Sequence, residues 1–187
     1  MDLFSHALLG FIFGQALLLD TNTQIIHIIS SVILDIDAIS IPGWEANFKF
    51  HRGRVHSILG AILVSLLIGA VFTILIRLPA KGFISIVLIC LSGSFSHIFL
   101  DLLTTGRMAI LWPFSSKKIA FDLTHFIDPI FLGVLLLASV LIVYAKNDVR
   151  MIQIVTIVTI ALLTVNFGVR YYERGARARS SCPHMHS

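Results

Sequence analysis

The sequence predicts an all-α fold, a polytopic membrane helical bundle of about five to six membrane helices, one of them short or re-entrant. Three observations carry this prediction: 57% of the 187 residues are hydrophobic, only 13% are charged, and long uncharged apolar runs recur along the chain. Soluble domains are nearer half apolar and a quarter charged. The runs are longer than buried strands and show no alternation, so no sheet is expected.

The first two predicted helices differ in length. An uncharged run over residues 3–19 is just long enough to cross the hydrocarbon core. Within it, Gly10 and Gly14 share one helix face with His6, and small residues on such a face let a second helix pack closely. After a polar turn, the apolar segment 24–34 is too short to span unaided, so we expect a short or re-entrant helix there.

The remaining predicted spans are longer. They cover residues 55–76, 82–100, 129–145 and 151–169. Asp128 followed by Pro129 favours a helix start at that point, because aspartate caps a helix and proline suits its first position. We therefore predict one membrane-embedded domain over residues 1–169, followed by a basic and mobile C-terminal tail over residues 170–187.

Histidine and aspartate residues are concentrated where the predicted spans begin or end. Following the chain through the bilayer brings these ends to one membrane face, although they are scattered through the sequence. Two of the residues, His97 and Asp101, are four positions apart and share one helix face, about one turn from each other. An ionisable pair in or near a span is costly and indicates a functional site. The converging residues are His6, Asp35, Asp37, His51, His56, His97 and Asp101.

The basic residues predict which way this face points. Lysine and arginine are enriched on the cytoplasmic side of membrane proteins. Ten of the 14 basic residues fall on the side of the converging residues, so we expect the site and the C-terminus to face the cytoplasm, in the cell inner membrane. The four on the opposite side are Arg77, Lys81, Lys146 and Arg150.

The donor types in this group indicate a metal site. Imidazole and carboxylate without thiolate are expected for a catalytic divalent ion, with Zn²⁺ or Mn²⁺ favoured and one or two ions expected. A lone buried histidine is more often a satisfied polar residue, and we interpret His27 in that way. Asp128 is better explained as a helix cap than as a ligand, whereas Asp122 and His125 stay open. The convergence at one face favours a metal site over these separate explanations.

The motifs resemble those of the YdjM-like family of predicted inner-membrane metal-dependent hydrolases, some of which are under LexA control. The family pattern combines an N-terminal His, an Asp-x-Asp, a His-Arg-Gly-x-x-His-Ser, and a Ser-His-x-x-x-Asp followed by a Gly and a Trp-Pro-Phe. Leu34 departs from the pattern, because proline usually precedes the first aspartate. In this chain the motifs are Ser5-His6, Asp35-Ile-Asp37, His51-Arg-Gly-Arg-Val-His56-Ser57, Ser96-His97-Ile-Phe-Leu-Asp101, Gly106 and Trp112-Pro-Phe114.

The resemblance implies a bacterial or archaeal membrane protein with metal-dependent hydrolase activity, and it carries over the seven converging residues as functional positions. We expect hydrolysis of a phosphoester or lipid headgroup bond at the cytoplasmic interface, with membrane lipids as partners and no nucleic acid. In this scheme Asp37 or Asp101 is the general base that takes a proton from water. Arg52 or Arg54 stabilises the charge that develops on phosphate.

Two other functions remain open from the sequence. A membrane zinc lipid amidase also uses His, Asp and Ser at one membrane face, and it would give weight to Ser57 and Ser96. A metal-ion or small-solute transporter would place ionisable residues along a path through the membrane. Three of the predicted spans are almost purely apolar, which disfavours transport, and a scaffold without chemistry leaves the convergence unexplained. The oligomeric state is not predicted.

Overall fold

The computed structural model confirms the all-α prediction over the residues it describes, which are 1–35, 54–77, 79–125, 127–145 and 148–180. A 3-10 turn at Ile33–Asp35 extends the second helix. Within these ranges, three helical segments are long and apolar enough to cross a membrane: Ile58–Leu75, Gly82–Leu103 and Val149–Ala176. The α-helices of the described residues are α1 (Leu3–Ala16), α2 (Thr21–Val32), α3 (Ile58–Leu75), α4 (Ala80–Leu103), α5 (Pro129–Tyr144) and α6 (Val149–Ser180).

Helix α1 ends at Ala16, three residues before the end of the predicted run. Leu18 adopts a positive φ of 55°, and the N–H groups of Leu18 and Leu19 donate to the carbonyls of Gln15 and Gly14. This is the hydrogen-bond pattern of a Schellman C-cap, a position that glycine usually fills. Because the chain uses leucine there, the sequence carries no signal for the helix end.

Helix α2 is short, as predicted, and begins with a well-formed cap. The Asp20 carboxylate accepts hydrogen bonds from the backbone N–H groups of Asn22 and Thr23, at 3.0 and 3.2 Å. Such a cap satisfies donors that the first helical turn leaves without a partner. Its 12 residues correspond to a length of about 18 Å at ~1.5 Å per residue, well short of a hydrocarbon core of ~30 Å.

Helix α6 is longer than the span predicted at 151–169 and runs on to Ser180. Arg170 contacts the Asp128 carboxylate, and Arg174 Nη2 lies 3.3 Å from Asp122 Oδ2. These ion pairs bring the C-terminal turns of α6 beside the start of α5. The helix therefore extends into the segment predicted as a tail, while the division into a domain and a tail stays a prediction.

Small residues bring the backbones of α1, α2 and α4 together. A Cβ at Gly10 would lie 2.3 Å from Ser31 Oγ, and a Cβ at Gly93 would lie 2.7 Å from the carbonyl oxygen of His27. Both distances are too short for a real side chain, so only glycine fits. The prediction that small residues on α1 allow a second helix to approach closely is confirmed, and α2 is the helix that uses this space.

Helices α5 and α6 pack against α1 through apolar side chains. Phe131 and Leu135 of α5 are buried, and they belong to one apolar cluster that also contains Leu9 and Ile12 of α1. The ring of Phe131 lies 5.8 Å from the ring of Phe167. This cluster supplies much of the apolar burial among the described residues.

Candidate metal centre

Three parts of the chain bring histidine and aspartate side chains together at one end of the bundle. Asp35 ends the 3-10 turn, His56 lies two residues before α3 begins, and His97 and Asp101 lie on the last two turns of α4. One ligand atom from each residue lies within 4.8 Å of the other three. All four residues are buried, with exposed fractions between 0 and 8%. We call this group the four-residue cluster.

The distances within the four-residue cluster suit one tetrahedral ion. His56 Nε2 and His97 Nε2 lie 3.2 Å apart, and Asp35 Oδ1 lies 3.3 and 3.4 Å from them. Asp101 Oδ2 lies 3.8 Å from each of the two nitrogens. Tetrahedral ligands at ~2.0–2.1 Å from a zinc ion stand about 3.3–3.4 Å apart. The four donor atoms, all within 4.8 Å of one another, therefore suit a divalent ion once Asp101 moves closer to the two nitrogens.

A backbone hydrogen bond orients His97. Its Nδ1 lies 2.7 Å from the carbonyl oxygen of Ser31, and since a carbonyl only accepts, Nδ1 carries the proton. In neutral imidazole the other nitrogen, Nε2, is then an unprotonated donor atom that points into the four-residue cluster. Metal-ligating histidines usually hold their second nitrogen in this way. Gly93 permits the contact, because it lets α4 lie directly against α2.

The start of α3 fixes the position of His56. Ser57 Oγ accepts from Gly60 N–H at 2.9 Å and donates to the Arg54 carbonyl at 2.7 Å. A Cβ at Gly60 would lie 2.2 Å from the same carbonyl oxygen, so glycine is required there. The Arg54 guanidinium lies over the ring of Trp112, 5.4 Å from its centroid. The tryptophan of the Trp-Pro-Phe motif thus holds the segment that carries His56.

His6 lies beside the four-residue cluster, close to both of its carboxylates. Its Nε2 is 3.3 Å from Asp101 Oδ1 and 3.9 Å from Asp35 Oδ2. The ring stacks on the ring of His97, with centroids 3.7 Å apart and planes 14° apart. His6 is 1% exposed, and neither ring nitrogen makes a hydrogen bond within the described part of the chain. The α-amino group of Met1 also contacts Asp101.

Three predicted site residues, Asp37, His51 and Arg52, lie outside the described residues, so their roles stay predictions. Of the five predicted metal ligands that the structure describes, Asp35, His56, His97 and Asp101 come together, and His6 lies beside them. Sequence reasoning did not find the Ser31 carbonyl, because a backbone acceptor leaves no signature in residue types.

Other polar residues take structural roles. Asp128 caps α5 by accepting from Ile130 and Phe131 N–H at 3.1 and 3.2 Å, in agreement with its interpretation as a cap. Burial opposes ionisation of Asp128, but hydrogen bonds from Thr124 and Arg170 outweigh it, so the pKa of its carboxyl lies below the usual value.

Asp122, His125 and His27 lie outside the four-residue cluster. The sequence left the roles of Asp122 and His125 open and favoured a structural role for His27. Asp122 pairs with Arg174, and the His125 side chain is exposed. His27 Nδ1 lies 2.9 Å from the Gly10 carbonyl, which it can reach only as a donor. This contact joins α1 to α2 and agrees with the interpretation of His27 as a structural polar residue.

Comparison with known proteins gives one match. A family model described as YdjM inner membrane protein matches residues 1–174. No curated protein and no solved structure matches the chain.

Proposed function

The chain belongs to the YdjM inner membrane protein family, and on that premise we propose that it is a metal-dependent hydrolase acting at the cytoplasmic membrane interface. One observation carries the proposal: two imidazoles and two carboxylates are buried together at one end of a membrane bundle, at ligand-to-ligand distances. Burying these groups is costly unless an ion or a full set of hydrogen bonds compensates them. A resident divalent ion gives that compensation.

The donor set favours Zn²⁺ or Mn²⁺. Imidazole and carboxylate donors suit both ions, and the described cluster contains no thiolate. When bound, such an ion lowers the pKa of a coordinated water to near ~7 and polarises a phosphoryl oxygen. His97, held by the Ser31 carbonyl, and His56, held by the capped start of α3, are the two preorganised nitrogen donors.

The expected substrate is a phosphoester or a lipid headgroup bond. His97 lies six residues before the end of α4, which places it about 9 Å from the helix end at ~1.5 Å per residue. That depth suits a bond near the headgroup layer. The distribution of basic residues along the sequence supports a cytoplasmic orientation.

The contacts of Asp101 bear on its role. Its Oδ2 faces His56 and His97, and its Oδ1 contacts His6 and the Met1 α-amino group, so both oxygens are engaged. This favours Asp37 over Asp101 as the base that takes a proton from water. Arg52 or Arg54 is the proposed partner of the developing phosphate charge. The Arg54 guanidinium lies over the ring of Trp112.

A membrane zinc lipid amidase, which would give Ser57 or Ser96 a role at the site, is less well supported. The Ser57 hydroxyl caps α3 and donates to the Arg54 carbonyl. The Ser96 hydroxyl donates to the Gly93 carbonyl at 2.7 Å within its own helix. Both hydroxyls therefore take part in local helix structure, and neither is directed at the four-residue cluster.

Transport is the second candidate, because buried polar side chains continue from the site along α2. Ser31, Ser30, His27 and Gln24 are all buried, on a path that leads away from the four-residue cluster. The two serines bond to carbonyls within the bundle, at 2.7–3.0 Å. His27 Nε2 and Gln24 Oε1 make no hydrogen bond among the described residues, so they are where a transported ion or proton would bind.

Metal analysis and a reconstituted assay test the proposal together. Wild-type protein purified under metal-replete conditions should retain a divalent ion, whereas His97→Ala and Asp101→Ala should lose it. In proteoliposomes, the wild type should hydrolyse a phosphoester or a phospholipid headgroup bond, and the two variants should not. His27→Gln is the matched control, a buried histidine outside the four-residue cluster that should keep both metal and activity.

Two results would contradict the hydrolase. Wild-type protein without bound metal would remove its basis. Metal-dependent ion uptake without hydrolysis, abolished in His27→Gln, would replace it with the transporter.

A further inference from the structure

A hairpin over residues 108–119 follows the end of α4, and its base is fixed to the bundle. Met108 and Ile119 pair in an antiparallel bridge, with backbone hydrogen bonds of 3.0 and 2.9 Å. Met108 is fully buried, and the Ile110 carbonyl accepts from the Ile58 N–H at the start of α3, at 3.0 Å. These contacts hold the part of the hairpin beyond them in a defined position.

The hairpin tip, residues 111–118, exposes large apolar side chains beside two lysines. Phe114 is 91% exposed and Leu111 is 55% exposed. Lys117 and Lys118 follow them and are also exposed. Neither lysine forms an ion pair within the described part of the chain. Because apolar surface left in water forgoes the free energy of burial, an apolar tip beside basic residues indicates an interaction surface.

The end of α4 places the hairpin at the boundary of the hydrocarbon core. The span Gly82–Leu103 has 22 residues, a length of about 33 Å at ~1.5 Å per residue, which matches a core of ~30 Å. The Phe121 N–H donates to the Leu102 carbonyl at 2.7 Å, so the chain leaving the hairpin stays at the helix end. Phe99, on the last turns of α4, is 59% exposed, so an apolar face of α4 continues to this depth.

We propose that the hairpin tip is an interfacial anchor for anionic phospholipid. Phe114 and Leu111 insert at the boundary between headgroups and acyl chains, where apolar side chains of peripheral segments are buried. Lys117 and Lys118 bind the lipid phosphate groups. Opposite charge supports this partner, because each basic residue at an anionic membrane surface strengthens binding by about 5-fold.

The anchor is tied to the segment that carries one of the proposed metal ligands. The Trp112 ring belongs to the hairpin tip, and its centroid lies 5.4 Å from the guanidinium carbon of Arg54. Arg54 precedes His56 by two residues. Neither a metal nor hydrolysis is needed for the anchoring role, so it can fail or succeed independently of the proposed hydrolase.

Fluorescence quenching in vesicles tests the anchor. Phe114→Cys in a Cys182→Ser background is labelled with an environment-sensitive fluorophore, while the remaining Cys90 is fully buried. In vesicles of brominated phosphatidylcholine and phosphatidylglycerol, the label should emit at shorter wavelength and be quenched by bromine. Ala176→Cys in the same background is the matched control, because it is exposed near the end of α6 at the same end of the bundle. Its label should stay accessible to aqueous iodide.

A second pair of variants tests the charge of the lipid. In Lys117→Gln/Lys118→Gln, bromine quenching in vesicles with phosphatidylglycerol should fall to the level found in phosphatidylcholine alone. Arg77→Gln/Arg150→Gln removes two exposed basic residues at the opposite end of the bundle and should leave the quenching unchanged.

Three results would overturn the assignment. If iodide reaches the label at position 114 as readily as the label at 176 in both kinds of vesicle, the tip faces water and a soluble protein partner replaces the lipid. Equal bromine quenching with and without phosphatidylglycerol overturns the anionic headgroup. Quenching that survives unchanged in the lysine variant overturns the role of the lysines. Leu111→Cys gives a second labelled position, judged in the same way, if the variant at 114 does not fold.

Discussion

The two halves of the bundle are held together in different ways. In the site half, formed by α1, α2 and α4, glycines let the helices approach closely: Gly10 lies against the Ser31 side chain, and Gly93 lies against the His27 carbonyl. In the outer pair, α5 and α6, a Cβ on Gly133 or Gly168 would have nothing within 4 Å. The outer pair relies on large apolar side chains instead.

The difference follows from what each half has to do. The ligands of the proposed metal site must be positioned precisely, and the backbone contact at Gly93 gives that precision because no flexible side chain separates α4 from α2 there. An apolar cluster depends on the total volume of its side chains rather than on exact distances between the helices, so it tolerates small shifts of those helices. We therefore expect the two halves to respond differently to the same kind of substitution.

The largest effect on stability should come from the outer pair. Leu135 is fully buried in the apolar cluster between α5 and α1. Leu135→Ala leaves a cavity and should lower the free energy of unfolding by about 3 kcal/mol. The metal content of the protein that remains folded should not change. Thermal unfolding in detergent measures the stability, and metal analysis of the same sample measures the metal content. Loss of metal at temperatures where the protein is still folded would contradict the expected difference between the halves.

In the site half, we expect a smaller loss of stability but a larger loss of metal affinity. The Cβ of Gly93→Ala would lie 2.7 Å from the His27 carbonyl oxygen, so α4 must move away from α2. We expect a loss of about 2 kcal/mol from this overpacking. Because the movement also separates His97 from the Ser31 carbonyl, metal affinity should fall at least ~10-fold, in the range expected for loss of an outer-shell partner.

Competition with a chelator, followed by metal analysis, measures the affinity of Gly93→Ala. Leu135→Ala, destabilised at least as much, is the control for unspecific loosening. Equal metal affinities in the two variants would mean that close packing of α2 and α4 does not position the site.

The contacts of Asp128 should contribute about 1 kcal/mol to the free energy of unfolding. Asp128→Asn keeps a capping oxygen for α5 but removes the ion pair with Arg170. Because the folded-state pKa of Asp128 is lowered, its contribution is complete above the unfolded pKa of ~3.9 and is lost as the pH falls toward the folded value. The stability gap between wild type and variant should therefore be constant near neutral pH and narrow below about pH 4.

Denaturation of both proteins across this pH range gives the measurement. Asp122→Asn, at the more exposed pair with Arg174, serves as the control and should show a smaller gap. A gap for Asp128→Asn that widens as the pH falls would contradict the assigned direction of the pKa shift.

The smallest expected change in the free energy of unfolding is a stabilisation. Gly133 lies on α5 with open space around it, so Gly133→Ala adds no clash and reduces the freedom of the unfolded chain. We expect a stabilisation of about 0.5 kcal/mol and no change in metal binding. Compared with Gly93→Ala, this is the same substitution in the other half. Destabilisation by Gly133→Ala would show that the outer pair is packed as closely as the site half.

Much of the site was predictable because its ligands follow sequence rules. The four-residue spacing of His97 and Asp101 determines a shared helix face, and alternation of the spans brings His6, Asp35 and His56 to the same end. The close approach of helices at Gly10 and Gly93 was also predictable, because only small residues permit it.

The features that were not predicted depend on tertiary contacts that cannot be recognised from residue types alone. Helix α1 ends early because Leu18 takes a conformation usually reserved for glycine. Helix α6 continues past 169 beside the start of α5, where Arg170 and Arg174 meet carboxylates that are distant in sequence. Which carbonyl would hold His97 could not be read from a pattern, since every residue has one.

The hydrogen bond from His97 to the Ser31 carbonyl joins residues 66 positions apart. During synthesis, α1 and α2 enter the membrane with His6 and Asp35 long before α4 exists. His56 also precedes α4 in the chain, so the four-residue cluster becomes complete only when α4 brings His97 and Asp101 against α2. If the cluster binds an ion as proposed, the fully ligated site forms only after α4 has docked, and the bound ion would then hold α4 to the elements that carry Asp35 and His56.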